Sequence, residues 1–293
     1  MPLNNEVVRE QLIQAYLKAC EVDVLAFKPG NVSVYVEGHD MTVNDFRLSA
    51  KVSAEPITDP DLCLGEKIFQ AVKETQEAVH CNTNLGIILL AAPLIQAGQN
   101  AVQQSRPLRK ELSEVLTATT IRDAEWAFQA ISLASPGGLG TADNHDVRTQ
   151  PDVTLAAAMN MAAFKDRIAF QYASHYQDIF DFAILRYNSY FNRWGNENWA
   201  AVAVFVGLLT KYPDSHIERK YGTKFRREVY IEMVLLDKKL SNTQHPQHLL
   251  HDLYRVDQRF KSSGINPGTT ADLTVATLLV ANLEHLFNNP VAE

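Results

Sequence analysis

Apolar side chains in this chain recur at spacings of three and four, the period that places them on one stripe of an α-helix. Val8, Leu12, Tyr16 and Ala19 define one stripe, Leu64, Ile68, Val72, Thr75 and Val79 a second, and Leu108, Leu112, Val115 and Leu116 a third. No run alternates at period two with hairpin turn chemistry beside it. The single β-like run, Val32-Ser33-Val34-Tyr35-Val36, cannot make a sheet alone. Three helix starts are written Thr-x-x-Asp: Thr42 to Asp45, Thr120 to Asp123, and Thr269 to Asp272. Each offers a hydroxyl to orphan N–H groups and a carboxylate to the positive helix end. The pattern predicts an all-α fold, a single helical domain of roughly ten helices over residues 1–293.

With 293 residues, 46% of them hydrophobic, the chain needs no disulfide or structural metal to build a core. Its formal charge of −7 argues against general nucleic-acid binding, which requires a basic surface. The same charge repels any phosphate-rich substrate, so such a ligand needs local cations or a metal ion. The longest apolar run, Leu85 to Ile95, is shorter than a bilayer span, and the N-terminus carries no signal-peptide pattern. Three cysteines, odd in number and widely spaced, make a disulfide framework an unlikely design. These features predict a soluble, cytoplasmic protein with no membrane or nucleic-acid partner.

Polar interhelical segments hold the candidate chemistry. They are Lys28–Asn31 through Gly38–Met41, Cys81–Gly86, Ser135–Asp146 and Ser263–Thr269. Asn82-Thr83-Asn84 before an apolar helix offers amides, a hydroxyl and free N–H groups to an anion or ribose, or else is a plain cap. Gly137-Gly138-Leu139-Gly140 is either a phosphate nest or a helix C-cap and turn, and it lacks the Lys-Ser/Thr of a Walker loop. Asp143, His145 and Asp146 behind it are either Mg²⁺ ligands or a solvated acidic loop. Lys28, near His39 and Asp40, is a phosphate-binding point charge or a surface lysine. Glu77, near a helix end that disfavours its charge, is a candidate base or ligand, or an exposed helix residue. His245, His248 and His251 share one helix side, a spacing that suits a metal but also an ordinary amphipathic surface. Tyr187, Tyr190, Phe191, Trp194 and Trp199 read as core packing rather than base stacking.

Taken in order, these segments resemble the triphosphoribosyl-dephospho-CoA synthase family. The resemblance is carried by Lys28-Pro29-Gly30, Gly38-His39-Asp40-Met41 with Phe46 and Ser49, Glu77, Asn82-Thr83 with Gly86, Gly137 to Gly140, and Asn266-Pro267-Gly268-Thr269-Thr270-Ala271-Asp272-Leu273. It runs from about Leu12 to about Leu279. It implies an all-α transferase that joins ATP to 3′-dephospho-CoA and releases adenine, the 2′-hydroxyl of the acceptor attacking C1 of the ATP ribose. A transition state of oxocarbenium character calls for a carboxylate, a base and a neutralised triphosphate. Glu77, Asp40 and Asp272 are then the catalytic candidates, with roles among the carboxylates open. Lys28, Asn31, Ser49, Asn82, Thr83, Asn84, Gly137, Gly138, Gly140, Thr269 and Thr270 are expected at the substrate and its phosphates. Asp143 and Asp146 are expected to hold Mg²⁺, and a homodimer is the oligomeric state to test.

The chain departs from that family's lyase-associated members. Their Asn-Thr-His-Lys-Gly stands here as Asn82-Thr83-Asn84-Leu85-Gly86, and their Gly-x-Arg-Gly-Glu as Gly137-Gly138-Leu139-Gly140-Thr141. A late Asp-Thr-Asn is replaced by Asp214-Ser215-His216. Losing cations where a polyanion sits is a large electrostatic change. The pattern looks like the divergent branch of archaea and methylotrophic bacteria. That likeness opens a second reading, another phosphorylated substrate in coenzyme biosynthesis, including that of a pterin-type one-carbon carrier (tetrahydromethanopterin). A third is a non-catalytic helical partner protein.

Overall fold

A computed structural model describes residues 5–36, 41–136 and 149–288. The all-α expectation holds, but the described residues form fourteen α-helices rather than roughly ten. In chain order they are α1 (Asn5–Leu25), α2 (Val43–Thr58), α3 (Leu64–Val79), α4 (Leu85–Gln104), α5 (Leu108–Thr117), α6 (Ile121–Ala134), α7 (Leu155–Ala162), α8 (Arg167–Ala173), α9 (Ile184–Trp194), α10 (Glu197–Lys211), α11 (Ser215–Tyr221), α12 (Arg226–Ser241), α13 (Leu250–Ser262) and α14 (Gly268–Asn288). The excess is short helices: α7, α8 and α11 run eight, seven and seven residues, too short for a clear amphipathic period. The β-like run supplies only an isolated bridge from Ser33 to Val36.

Three helices build the interior. α4, α10 and α14 are apolar around most of their circumference, as buried helices must be. α14 packs on α1, α4 and α10, and the α2–α3–α6 layer closes over the other side of α4. The stripes read from the sequence face inward: Leu12, Tyr16 and Ala19 of α1, Ile68 and Val72 of α3, and Leu112 and Leu116 of α5 are buried. α4 is longer than its apolar run suggested. By length and composition it would cross a membrane, yet 78% of its apolar window is buried inside the protein, where the core already covers it.

Two of the three Thr-x-x-Asp starts form reciprocal capping boxes, Thr42 with Asp45 and Thr120 with Asp123. Asp123 also accepts the Gly65 N–H at 2.8 Å. A side chain at Gly65 would overlap the Asp123 backbone, 2.5 Å from its Cα, so this glycine sets how closely α3 approaches α6. The third start does not cap itself. Asp214, from just before α11, accepts both the Thr270 N–H and the Thr270 hydroxyl at 2.8 Å, which leaves Asp272 unengaged.

Pro93 interrupts the hydrogen-bond ladder of α4, because proline has no N–H for the carbonyl four residues back. That carbonyl, of Leu89, instead receives the Tyr172 hydroxyl at 2.6 Å, and the next, of Leu90, receives Tyr176 at 2.9 Å. Both tyrosines are fully buried, and burial pushes their hydroxyls well above the usual range, so they remain donors. Tyr172→Phe is therefore expected to cost about 1–3 kcal/mol, the penalty for a buried acceptor left unpaired. Urea unfolding measures it, and an unchanged midpoint would contradict it.

Candidate active site

The first turns of α4 and α14 meet at the floor of a cavity of about 580 Å³, within the range of small-ligand sites. Asp23 of α1 and the following Asn31 join that floor, with Asn82, Thr83, Asn266 and Thr269. Phe128 and Ile131 of α6, Met159 of α7 and Ile168 of α8 make an apolar wall. Lys165, His216, Arg219 and Lys220 add basic side chains. Ser135 and Pro136, at the edge of the cavity, lead into the glycine-rich segment.

Asp272 brings a carboxylate to this cavity. No side chain or backbone group among the described residues hydrogen-bonds or ion-pairs with it. Its Oδ2 rests against Gly86, where a Cβ would overlap the carboxylate and come within 2.8 Å of Ile168 Cδ1. Burial, then the negative charges of Asp23 and Asp214, push its carboxyl well above the usual range. Arg219 and Lys28 pull the other way and do not prevail. Asp23 forms a fully buried ion pair with Lys28, and burial still raises its carboxyl above normal.

The basic side chains differ in availability. Arg219 pairs with Asp166, which also caps α8 through the Ile168 and Ala169 N–H groups. Lys165 and Lys220 are exposed and have no carboxylate partner among the described residues. Burial, helped by Lys220 and Arg219, pushes His216 down to about 4, so it is a neutral imidazole near pH 7. The segment Asp214-Ser215-His216 thus belongs to the site. Ser215 donates to the Thr269 hydroxyl at 3.0 Å, while Asp214 caps α11 at the Ile217 N–H and ties α11 to α14 through Thr270. Burial raises the Asp214 carboxyl despite these bonds.

The structure sorts the residues expected from sequence. Asp272, Asn31, Asn82, Thr83 and Thr269 line the cavity. Ser49, Asn84 and Thr270 lie behind it as supports. The Ser49 and Thr83 hydroxyls bond at 2.6 Å, and Asn84 Nδ2 donates to Ser53 Oγ at 3.4 Å. Asn84 makes no side-chain cap on α4; the Leu85 N–H goes to Asn82 Oδ1 instead. Lys28 is corrected from a phosphate-binding cation to a buried counter-ion, because Asp23 consumes its charge before any ligand arrives. Glu77 is corrected too. Its side chain is 61% exposed beside Lys73 on the outer face of α3, away from the cavity. Glu77→Gln is expected to shift stability by no more than about 0.5 kcal/mol and to leave turnover intact; a large loss of rate would return Glu77 to the site. Asp40, Gly137, Gly138, Gly140, Asp143 and Asp146 lie outside the described residues.

Asp23, His216, Lys165, Arg219, Lys220 and Asn266 were missing from the expected set. The sequence signals were weak: basic pairs near short helices, Asn266 inside a motif already noted, and His216 in the segment that replaces the family's late Asp-Thr-Asn. The His245 and His248 rings lie 5.6 Å apart, tilted to one another, outside the cavity, and no cluster of three or more metal-ligating side chains forms among the described residues. Tyr187 stacks on Phe191 and Tyr190 packs on Trp194, also outside the cavity; Tyr187 and Tyr190 are core residues, Trp194 and Trp199 pack against the core, and Phe191 is exposed. All three cysteines are free.

A model of the family described as ATP:dephospho-CoA triphosphoribosyl transferase matches residues 9–291. No curated protein and no solved structure matches the chain.

Proposed function

The chain belongs to the ATP:dephospho-CoA triphosphoribosyl transferase family, a family of transferases, and on that premise we propose that its cavity carries ribosyl transfer from ATP to the 2′-hydroxyl of 3′-dephospho-CoA. One observation supports this most directly. A single cavity combines a carboxylate, Asp272, with two cations, Lys165 and Lys220, none of them ion-paired among the described residues, and an apolar wall. Breaking a C–N bond at a ribose needs a carboxylate beside developing positive charge. The phosphates need cations, and a purine needs an apolar face.

The same arrangement answers the electrostatic objection raised by the net charge of −7. The cations lost from the Asn-Thr-His-Lys-Gly and Gly-x-Arg-Gly-Glu positions are replaced in kind from elsewhere in the chain. Lys165 comes from the α7–α8 turn, and Arg219 and Lys220 come from α11. The first turns of α4 and α14 add two positive helix ends. Mg²⁺ is the expected companion of the triphosphate, since it binds through one or two carboxylates plus phosphate oxygens. Its candidate ligands, Asp143 and Asp146, lie outside the described residues, and the described carboxylates do not form a metal site on their own.

The test is to incubate the protein with ATP and 3′-dephospho-CoA and quantify adenine by chromatography. Adenine released in proportion to coupled product is the expected result. No adenine together with no nucleotide binding overturns the reading.

One observation favours the second reading. Arg219 is already shared with Asp166, and much of the wall is apolar, which suits a less anionic phosphorylated substrate such as a pterin-type intermediate. Mass spectrometry of small molecules carried through purification separates the two: a nucleotide supports the first, a pterin the second. A single domain and a cytoplasmic setting belong to the same proposal.

A further inference from the structure

We propose that Asp272 is the general acid of this cavity, delivering a proton to the nucleobase as it departs. The inference rests on the ribosyl-transfer reading and assigns a role that the resemblance left open among several carboxylates.

Adenine expelled from C1′ carries away the bonding electron pair, and as an anion it is a poor leaving group. Protonation at a ring nitrogen such as N7 lets it leave neutral. The group that supplies this proton must face the substrate, hold a proton near neutral pH, and be free of other obligations. Among the described residues few titratable groups stand in or beside the cavity, and geometry removes all but one. Asp23 is locked to Lys28. Asp166 is divided between Arg219 and the first turn of α8. Asp214 does not line the cavity and is spent on Ile217 and Thr270. His216 sits beside two cations and is already neutral. Lys165 and Lys220 are exposed, where an ammonium matches a phosphate.

Among the described residues Asp272 is the carboxylate that lines the cavity without a partner, and the missing side chain at Gly86 makes its berth. The charged groups that act on it are Asp23 of α1, Lys28 just beyond α1, Asp214 before α11 and Arg219 of α11, while α4 and α8 meet it with Gly86 and the apolar Ile168. Two like charges and burial hold its proton on, so the acid form persists to higher pH than an ordinary aspartate allows.

The step balances without any added reagent. The C1′–N9 bond breaks with its electron pair going to adenine, and the Asp272 proton moves to N7. The acceptor oxygen forms its bond to C1′ and loses its proton to water, and water reprotonates Asp272 before the next turnover. The carboxylate left by proton donation lies beside the electron-poor ribose, where its charge stabilises the oxocarbenium character.

The decisive experiment compares two donors. ATP needs its base protonated, whereas nicotinamide riboside 5′-triphosphate releases a neutral pyridine with no proton. Asp272→Asn is expected to lower kcat with ATP by about 10²–10⁴-fold, the usual range for general acid catalysis, and to lower turnover of the nicotinamide donor by a much smaller factor, the part owed to lost charge beside the ribose. Wild-type kcat/KM with ATP should fall as pH rises through the Asp272 pKa. That alkaline limb should be absent with the nicotinamide donor, a readout that needs no variant at all. Equal loss with both donors, or an Asp272→Asn enzyme fully active on ATP, overturns the proposal while ribosyl transfer stands. Wild-type protein that turns over neither donor removes the ribosyl-transfer reading and this role with it.

Discussion

Gly86→Ala should reduce turnover by about 100-fold, the penalty typical of an angstrom-scale misplacement of a reacting group, while leaving the protein folded. The added methyl would overlap Asp272 Oδ2 and approach Asp272 Cγ to 2.5 Å and Ile168 Cδ1 to 2.8 Å. A flexible carboxylate can yield, so the backbone need not move, but the carboxylate then leaves its place in the cavity. Stability has two opposing contributions. Alanine is favoured over glycine within a helix by about 1 kcal/mol, which offsets part of the crowding. The signature is a separation of effects: kcat/KM collapses while Tm shifts by only a few degrees. A variant with normal kcat would show that the position of Asp272 is immaterial to the reaction.

The largest stability effect is expected at Lys28. Lys28→Met leaves the Asp23 carboxylate fully buried with no counter-ion, a class of change that costs about 3–5 kcal/mol. Burial already raises the Asp23 carboxyl even with Lys28 beside it, and without the ammonium it rises further. A group whose folded pKa lies above its unfolded value supports the fold fully below the unfolded pKa and loses that support as pH rises through the folded one. The Lys28→Met defect should therefore deepen as pH rises and ease in acid. Urea unfolding across pH measures this directly. The double variant Lys28→Met with Asp23→Leu should recover most of the loss, because an apolar pair has no charge to strand. A single variant as stable as wild type at pH 8 would mean that the pair contributes nothing.

Both predictions concern residues that the chain announces in an ordinary way. Gly86 follows a helix start, and Lys28 precedes a Pro-Gly turn. Neither residue type says whether it meets a carboxylate, since Asp272 lies far along the chain from Gly86. The same limit explains Glu77. Its place near a helix end was legible, and so was its position opposite the Leu64–Val79 stripe; where the cavity lies relative to that outer face was not. The reverse error befell Lys165 and Lys220, which stood in segments without a recognisable pattern, and His216, noted only as a departure from the family; they became site residues through the packing of α8 and α11 against α14.

What the sequence determined alone was everything governed by near neighbours: helical period, the two capping boxes at Thr42 and Thr120, the buried stripes, and the ordered motifs that carry the family resemblance. Those depend on residues three or four apart, and the chain itself fixes that separation. Only the tertiary structure decided which charges are spent and which are free. Asp214 relieves Asp272 of capping duty, and Asp23 claims Lys28, through contacts between residues distant in the chain or on separate elements. An ion pair or a cap uses up a charge only when both partners reach the same point in space, and packing brings them there.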